Sequence, residues 1–369
     1  MRQSREKMVK QPDTKMKTLT ANKVFTGKEW LGPVEIRIEN DIIQSIRYIS
    51  DSEVKDFKEG FLCPAFVDLQ VYGGNGILFS NHQTVEAIQA TYDEHSKTGT
   101  EFFQITLNCS PTESIFKAID AANKYQKEGR PGLLGLHLEG PFFNPVRRGA
   151  HLEAFVQKPS KELIDEIIHR AGDLRIYMTI APEMFEDELL DYIIQSPIIC
   201  SIGHSDASQS QVEKAFKKGI DKITHLFNAQ SQWQSRALGI AGTTMLHEEV
   251  WASIIVDGLH LDYGTVQLAK ALKKARLFLI TDAVTYDVSG PYHFSKKDGK
   301  FTNDQGTLSG SALTMHDAIV NCVNHVGIDL EEAIRMATMY PAQVIGLENE
   351  IGTIEVGKKA IFYHWQEWS

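Results

Sequence analysis

Cysteine is scarce in this chain, and the four present, Cys63, Cys109, Cys200 and Cys322, stand far apart with no Cys-x-x-Cys pair. That spacing offers neither a zinc knuckle nor a disulfide framework, and it fits buried thiols in a reducing cytoplasm. Long hydrophobic runs are lacking as well. The longest, such as Ser253–Val256 and Leu277–Ile280, fall far short of the roughly 20 residues a membrane helix needs. An excess of positive charge is also missing: 38 Lys and Arg against 48 Asp and Glu give a formal charge of −10. Nonspecific binding to nucleic acid or anionic lipid is therefore disfavoured, and a phosphorylated substrate would need a few local donors. Residues 1–17 carry six basic and two acidic side chains but no apolar h-region, so they read as a flexible extension and not as a signal peptide.

What is present is the composition of a globular protein: 42% hydrophobic and 23% charged residues leave no room for a disordered or collagen-like reading. At 369 residues the chain exceeds one average domain, yet a single α/β barrel routinely reaches about 250, so one large domain with a small companion is expected. From Thr18 to Glu59 short alternating strands predominate, as in Val34-Glu35-Ile36-Arg37-Ile38. After Pro64 the period changes. Eight apolar segments, Phe66–Gln70, Phe102–Thr106, Leu133–Leu138, Arg175–Ile180, Ile198–Ile202, Lys222–Thr224, Trp251–Val256 and Leu277–Thr281, alternate with amphipathic stretches such as Thr84–Lys97, Glu113–Lys127 and Gln209–Lys218. The pattern predicts an α/β fold, a (β/α)8 barrel over residues 60–340. Residues 18–59 would form a small β-module that residues 341–369 rejoin, because Gly352–Gly357 returns to strand and turn chemistry.

Catalytic groups of such barrels emerge at the C-terminal ends of strands, so the polar residues just past each segment are the candidates. They are Glu139 after the third, His204 after the fifth, His225 after the sixth, His260 beyond the seventh and Asp282 after the eighth. A lone histidine at a strand end is usually an ordinary hydrogen-bonded residue. Two imidazoles and one carboxylate on one rim suit a divalent transition metal with open positions for water and substrate, and a further carboxylate there is a natural general base.

The series His137-Leu138-Glu139-Gly140-Pro141-Phe142, Gly149-Ala150-His151, Gly203-His204-Ser205, His225-Leu226-Phe227-Asn228-Ala229, Asp257-Gly258-Leu259-His260, Thr281-Asp282-Ala283 and Leu308-Ser309-Gly310-Ser311 resembles the N-acetylglucosamine-6-phosphate deacetylases of the amidohydrolase superfamily. Order and spacing match over nearly the whole chain. The resemblance implies a metal-dependent barrel with a β-sandwich built from both chain ends. It implies one divalent metal per chain, zinc first with iron, cobalt or manganese as alternatives, held by Glu139, His204 and His225. Asp282 would be the acid/base and His151 would polarise the acetyl carbonyl. Asn228, the Ala229 backbone and His260 would meet the phosphate, joined by Arg236 from the neighbouring subunit of a homodimer. Ala150, Leu308, Ser309 and Gly310 would line the sugar. The implied substrate is a phosphorylated N-acetyl amino sugar, handled in cytoplasmic amino-sugar catabolism.

Three places depart from the family pattern. Gln70-Val71-Tyr72 stands where binuclear relatives carry His-x-His, which implies a mononuclear site. Gln234–Gly239 around Arg236 lacks the acid and proline that commonly follow the arginine, and Lys359–Trp365 replaces an acidic stretch. Two rival readings remain at this level: a deacetylase of the galactosamine isomer, and a non-catalytic binding protein that would have lost its ligands or its base.

Overall fold

The structure is a computed structural model, and it describes residues 16–297 and 299–366. Of the expected extension, residues 1–15 lie outside the described residues, and Met16 and Lys17 open the strand Met16–Ala21.

The chain divides into two compact units, one formed by the segment up to Pro64 with that from Asn349 onward, the other running from Ala65 to Glu348. In the first unit Val34–Glu39 lies between Met16–Ala21 and Ile42–Tyr48 in an antiparallel sheet. A second sheet runs in the order Phe362–Trp365, Phe61–Pro64, Val24–Phe25, Trp30–Leu31. Period-two alternation explains the packing: Val34, Ile36 and Ile38 turn inward to meet Val24, Leu62 and Ile354, while Arg37 faces out. Only Asn40 and Asp41 separate the two strands they join, and both have positive φ, 52° and 61°. These are the residue types and the conformation that a two-residue hairpin matching strand twist demands.

The second unit is a parallel barrel of eight strands: β1 Phe66–Val71, β2 Thr100–Leu107, β3 Leu133–Glu139, β4 Ile176–Ile180, β5 Ile199–Ile202, β6 Lys222–Ile223, β7 Trp251–Ile254 and β8 Leu277–Leu279. Each pairs with its sequence neighbour. The ring is drawn together where the chain beyond β8 meets β1: Asp282 N–H donates to Gln70 O at 3.0 Å and Tyr72 N–H to Ala283 O at 2.9 Å. The expected (β/α)8 architecture with terminal sheets is therefore what the chain forms.

Helices begin where the sequence supplies caps. Thr84 accepts from Ala87 N–H ahead of Val85–His95, Ser160 from Leu163 N–H ahead of Lys161–Ala171, and Ser208 with Gln211 makes a capping box for Gln209–Lys218. Three helices were not anticipated: Asp187–Ile194, Gly239–Leu246 and Met339–Val344. In Gly239–Leu246 nearly every residue is buried, so no apolar face exists to give a period.

The barrel interior beneath the rim is polar and cross-tied. His137 Nε2 lies 2.8 Å from Thr179 Oγ1, which lies 2.8 Å from Thr224 Oγ1, and Thr224 donates to Ser201 Oγ at 2.8 Å. This chain spans four strands. Gly203, one residue before His204, lies against it: a Cβ built there would meet Thr179 Cγ2 at 2.6 Å and Thr224 Cβ at 3.1 Å. Both threonines are β-branched and held by hydrogen bonds, so neither can retreat cheaply. Gly203→Ala should lower stability by about 1–3 kcal/mol, read as a fall in the urea midpoint with an unchanged slope.

Candidate metal and active site at the barrel mouth

Glu139 is the last residue of β3, and His204, His225 and Asp282 each follow the end of their strand by two or three residues. The backbones of His204, His225 and Asp282 are left-handed, with φ of 49°, 33° and 55°. L-residues adopt this region at a cost of about 1–3 kcal/mol each, and such outliers gather where a side chain must be aimed. The consequence is visible in the aim, since side chains from different strands converge on one point.

His204 Nε2 lies 3.1 Å from Glu139 Oε1, His225 Nε2 lies 2.9 Å from the same oxygen, and the two Nε2 atoms are 3.1 Å apart. His204 Nδ1 lies 2.9 Å from the carbonyl of Arg147, where only an N–H can bond, so its Nε2 is bare. Burial also pushes the His204 pKa down, outweighing the pull of Glu139, and so favours the neutral ring. A bare nitrogen turned toward a carboxylate oxygen is repulsive unless a cation lies between them. The triangle edges of 2.9 to 3.1 Å are close to the roughly 3.3 Å that separates ligand atoms around tetrahedral zinc. His225 Nδ1 is buried without a hydrogen-bond partner among the described residues. The donor set thus fits a divalent transition metal.

His151 also belongs to this cluster, its ligand-capable atom within 4.8 Å of those of Glu139 and His204. Its chemistry differs. The Cys109 N–H donates to His151 Nδ1 at 3.1 Å, so the ring proton sits on Nε2, which points at Glu139 Oε2 from 3.0 Å. His151 therefore presents an N–H to the site, whereas His204 presents a lone pair.

The two carboxylates differ as well. Burial works to raise the Glu139 pKa, but His151, whose Nε2–H faces its Oε2, holds it well below the usual range. Asp282 is pushed well above its usual range by burial, with the charge of Glu139 adding to the effect. Its Oδ1 accepts from Gln70 Nε2 at 2.7 Å.

These groups line a cavity of about 180 Å³. Ala150, Asn228, Ala229 and His260 line its walls, as do Leu308, Ser309 and Gly310. Asn228 Nδ2 is buried there without a partner among the described residues, and His260 is held by Asp257, with Nδ1 and Oδ2 2.7 Å apart. Arg236 does not join them. It is exposed on a separate cleft shared with Arg147 and Asp206, which pair at 2.7 Å. Sequence reasoning missed Asn108 and Phe294, which also line the cavity. Asn108 directly follows β2, so the strand-end rule applied to that strand would have found it. The ring protons give a direct test: nitrogen-15 NMR should show His151 protonated at Nε2 and bare at Nδ1, and His204 the reverse.

A model of the amidohydrolase family matches residues 61–367. The N-acetylglucosamine-6-phosphate deacetylase of Haemophilus influenzae is 31% identical, covering 91% of this chain and 92% of that protein. The N-acetylgalactosamine-6-phosphate deacetylase of Escherichia coli is 28% identical, covering 93% of each. Among solved structures, N-acetylglucosamine-6-phosphate deacetylase from Pasteurella multocida superposes with a TM-score of 0.89 at 30% identity over 95% of both chains. That from Mycobacterium smegmatis, determined in complex with N-acetyl-D-glucosamine 6-phosphate, gives 0.85 at 26% identity over 94% of this chain and 93% of its own. Matched by the family model over most of its length, with a bare-nitrogen and carboxylate cluster at its barrel mouth, the chain belongs to the amidohydrolase family.

Proposed function

We propose that this chain hydrolyses the N-acetyl group of N-acetylglucosamine 6-phosphate, giving glucosamine 6-phosphate and acetate. The observation that carries the reading is one cavity holding a metal-fitting triad, an imidazole N–H donor and a separate carboxylate. Near full-length similarity to deacetylases of this class supports the substrate.

Glu139, His204 and His225 would hold one divalent ion, most simply zinc, which supplies Lewis acidity and makes water acidic enough to attack at neutral pH. Asp282, ionised where a bound cation would offset the Glu139 charge that helps raise its pKa, takes a proton from the attacking water as the new carbon–oxygen bond forms. It then gives that proton to the sugar nitrogen as the carbon–nitrogen bond breaks, since an amine anion cannot leave. The Nε2–H of His151 turns from Glu139 to the carbonyl oxygen as charge develops there. A donor so placed is commonly worth about 2.7–4 kcal/mol. The unpartnered Asn228 amide, the Ala229 N–H and His260 would meet the phosphate, and Ala150, Leu308, Ser309 and Gly310 the sugar. Arg236, exposed and away from its own cavity, would reach the phosphate of a neighbouring copy in a homodimer. Four buried, unpaired cysteines fit work in a reducing cytoplasm, and among the described residues no helix is long and apolar enough to cross a membrane.

The galactosamine isomer is the second reading, favoured by the similarity to the Escherichia coli relative. It differs only in contacts to the C4 hydroxyl, so kcat/KM on both isomers separates the two. For the glucosamine reading N-acetylglucosamine 6-phosphate should have the higher value.

Asp282→Asn keeps the shape of the side chain but can neither accept nor return the proton. Turnover should fall by about 10²–10⁴-fold, while one tightly bound metal per chain, counted by elemental analysis, is retained. Arg236→Ala should raise KM for the phosphorylated sugar roughly tenfold or more and leave KM for the unphosphorylated sugar nearly unchanged.

A further inference from the structure

Gln70 lies on β1 and Tyr72 just past its end. Their hydrogen bonds have a direction that can be worked out. The Tyr72 hydroxyl donates to Glu139 Oε2, and the same phenol oxygen accepts from Gln70 Nε2 at 2.7 Å. Gln70 Nε2 lies near two more acceptors, Asp282 Oδ1 at 2.7 Å and Glu139 Oε1 at 3.0 Å. An amide nitrogen has only two protons for these three acceptors. The two shorter contacts take them, and Glu139 Oε1 is left with its lone pairs directed at His204 and His225. Glu139 Oε2 is the opposite case, with donors from both Tyr72 and His151.

We infer that Tyr72 is a positioning residue that fixes which oxygen of Glu139 is offered to the metal: Oε2 is held by the phenol, and Oε1 alone serves as ligand. The need for it comes from His151. When that imidazole turns its N–H toward the substrate carbonyl, it abandons Oε2, and Tyr72 is then the donor left on it. Without the hydroxyl, Glu139 would be free to rotate and present both oxygens, consuming an open position that substrate or water requires. Gln70 extends the same strut to Asp282, so the orientation of the ligand and that of the acid/base are linked through one amide and one phenol. Tyr72 belongs to a buried apolar cluster with Leu78, Val284, Tyr292, Phe294 and Phe301. Tyr72→Phe therefore keeps the packing and removes only the hydroxyl.

This inference rests on the metal-dependent reading given above, and zinc titration of the unaltered protein tests that reading separately. Lack of a tight zinc equivalent there would sink both. With one equivalent present, Tyr72→Phe should bind zinc about 10- to 100-fold more weakly in competition with a chromophoric chelator, the usual effect of losing a group that orients a ligand. Its cobalt-substituted form should show a weaker visible band, as expected when coordination number rises, and kcat should fall more than KM changes. Zinc affinity equal to or tighter than that of the unaltered protein, with a superimposable cobalt spectrum, would overturn the role of Tyr72 and leave the metal reading intact. A second measurement needs no variant. The zinc-induced infrared difference spectrum of the unaltered protein should show the wide carboxylate stretching separation of one-oxygen ligation, and a narrow separation would refute the inference.

Discussion

A carboxylate withdrawn from water must find its partners in the protein, and Glu139, only 2% exposed, is that group here. The effective penalty for burying an ion is several kcal/mol, so its surroundings have to answer it from several directions. They do so from different parts of the barrel: Tyr72 from the end of β1 and His151 from the loop after β3 donate to Oε2, while His204 and His225, from beyond β5 and β6, bring their nitrogens to Oε1, where a cation would answer the charge. No single element could supply that set. A closed ring of parallel strands brings the ends of all of them to one rim, and the bonds between Gln70, Tyr72 and the chain beyond β8 keep Asp282 beside it.

Much of this was legible in the sequence, for a physical reason. Parallel strands buried on both faces are short apolar runs, and a charged or imidazole side chain directly after such a run stands out. Glu139, His204, His225 and Asp282 all carry that mark. The resemblance of the intervening motifs then supplied roles that spacing alone leaves open. What the sequence could not carry is direction. Whether His151 offers a proton or a lone pair depends on the Cys109 amide, 42 residues away in the chain. The bond from Tyr72 to Glu139 spans 67 residues, and nothing in Gln70-Val71-Tyr72 foretells it. Arg236 was readable as a candidate, yet its place on a different cleft from the other phosphate candidates emerges only in three dimensions.

The rim is also stiff for reasons that lie below it. The ties from His137 through Thr179 and Thr224 to Ser201 link β3, β4, β5 and the end of β6. Burial brings the His137 pKa down to about 4, so that ring stays neutral and its two bonds, to Leu69 O and Thr179 Oγ1, persist across the physiological range. Asp68, raised to about 6 by burial, accepts from Thr281 and so anchors the chain just past β8 to β1. A polar floor of this kind limits how far the ligand-bearing strand ends can separate, and precise spacing of the donors above follows from it.

The terminal sheets impose a different demand, one of order in time. Phe61–Pro64 sits between Val24–Phe25 and Phe362–Trp365, so it has a strand on one side from the start and gains its other neighbour only from the far end of the chain. A ribosome adding about 5–20 residues per second needs on the order of 15–60 s to make the intervening stretch. Throughout that interval one edge of Phe61–Pro64 is unpaired, an invitation to other nascent chains. The brevity of the segment, four residues ending in Pro64, which has no N–H to donate, is a fitting defence during the wait.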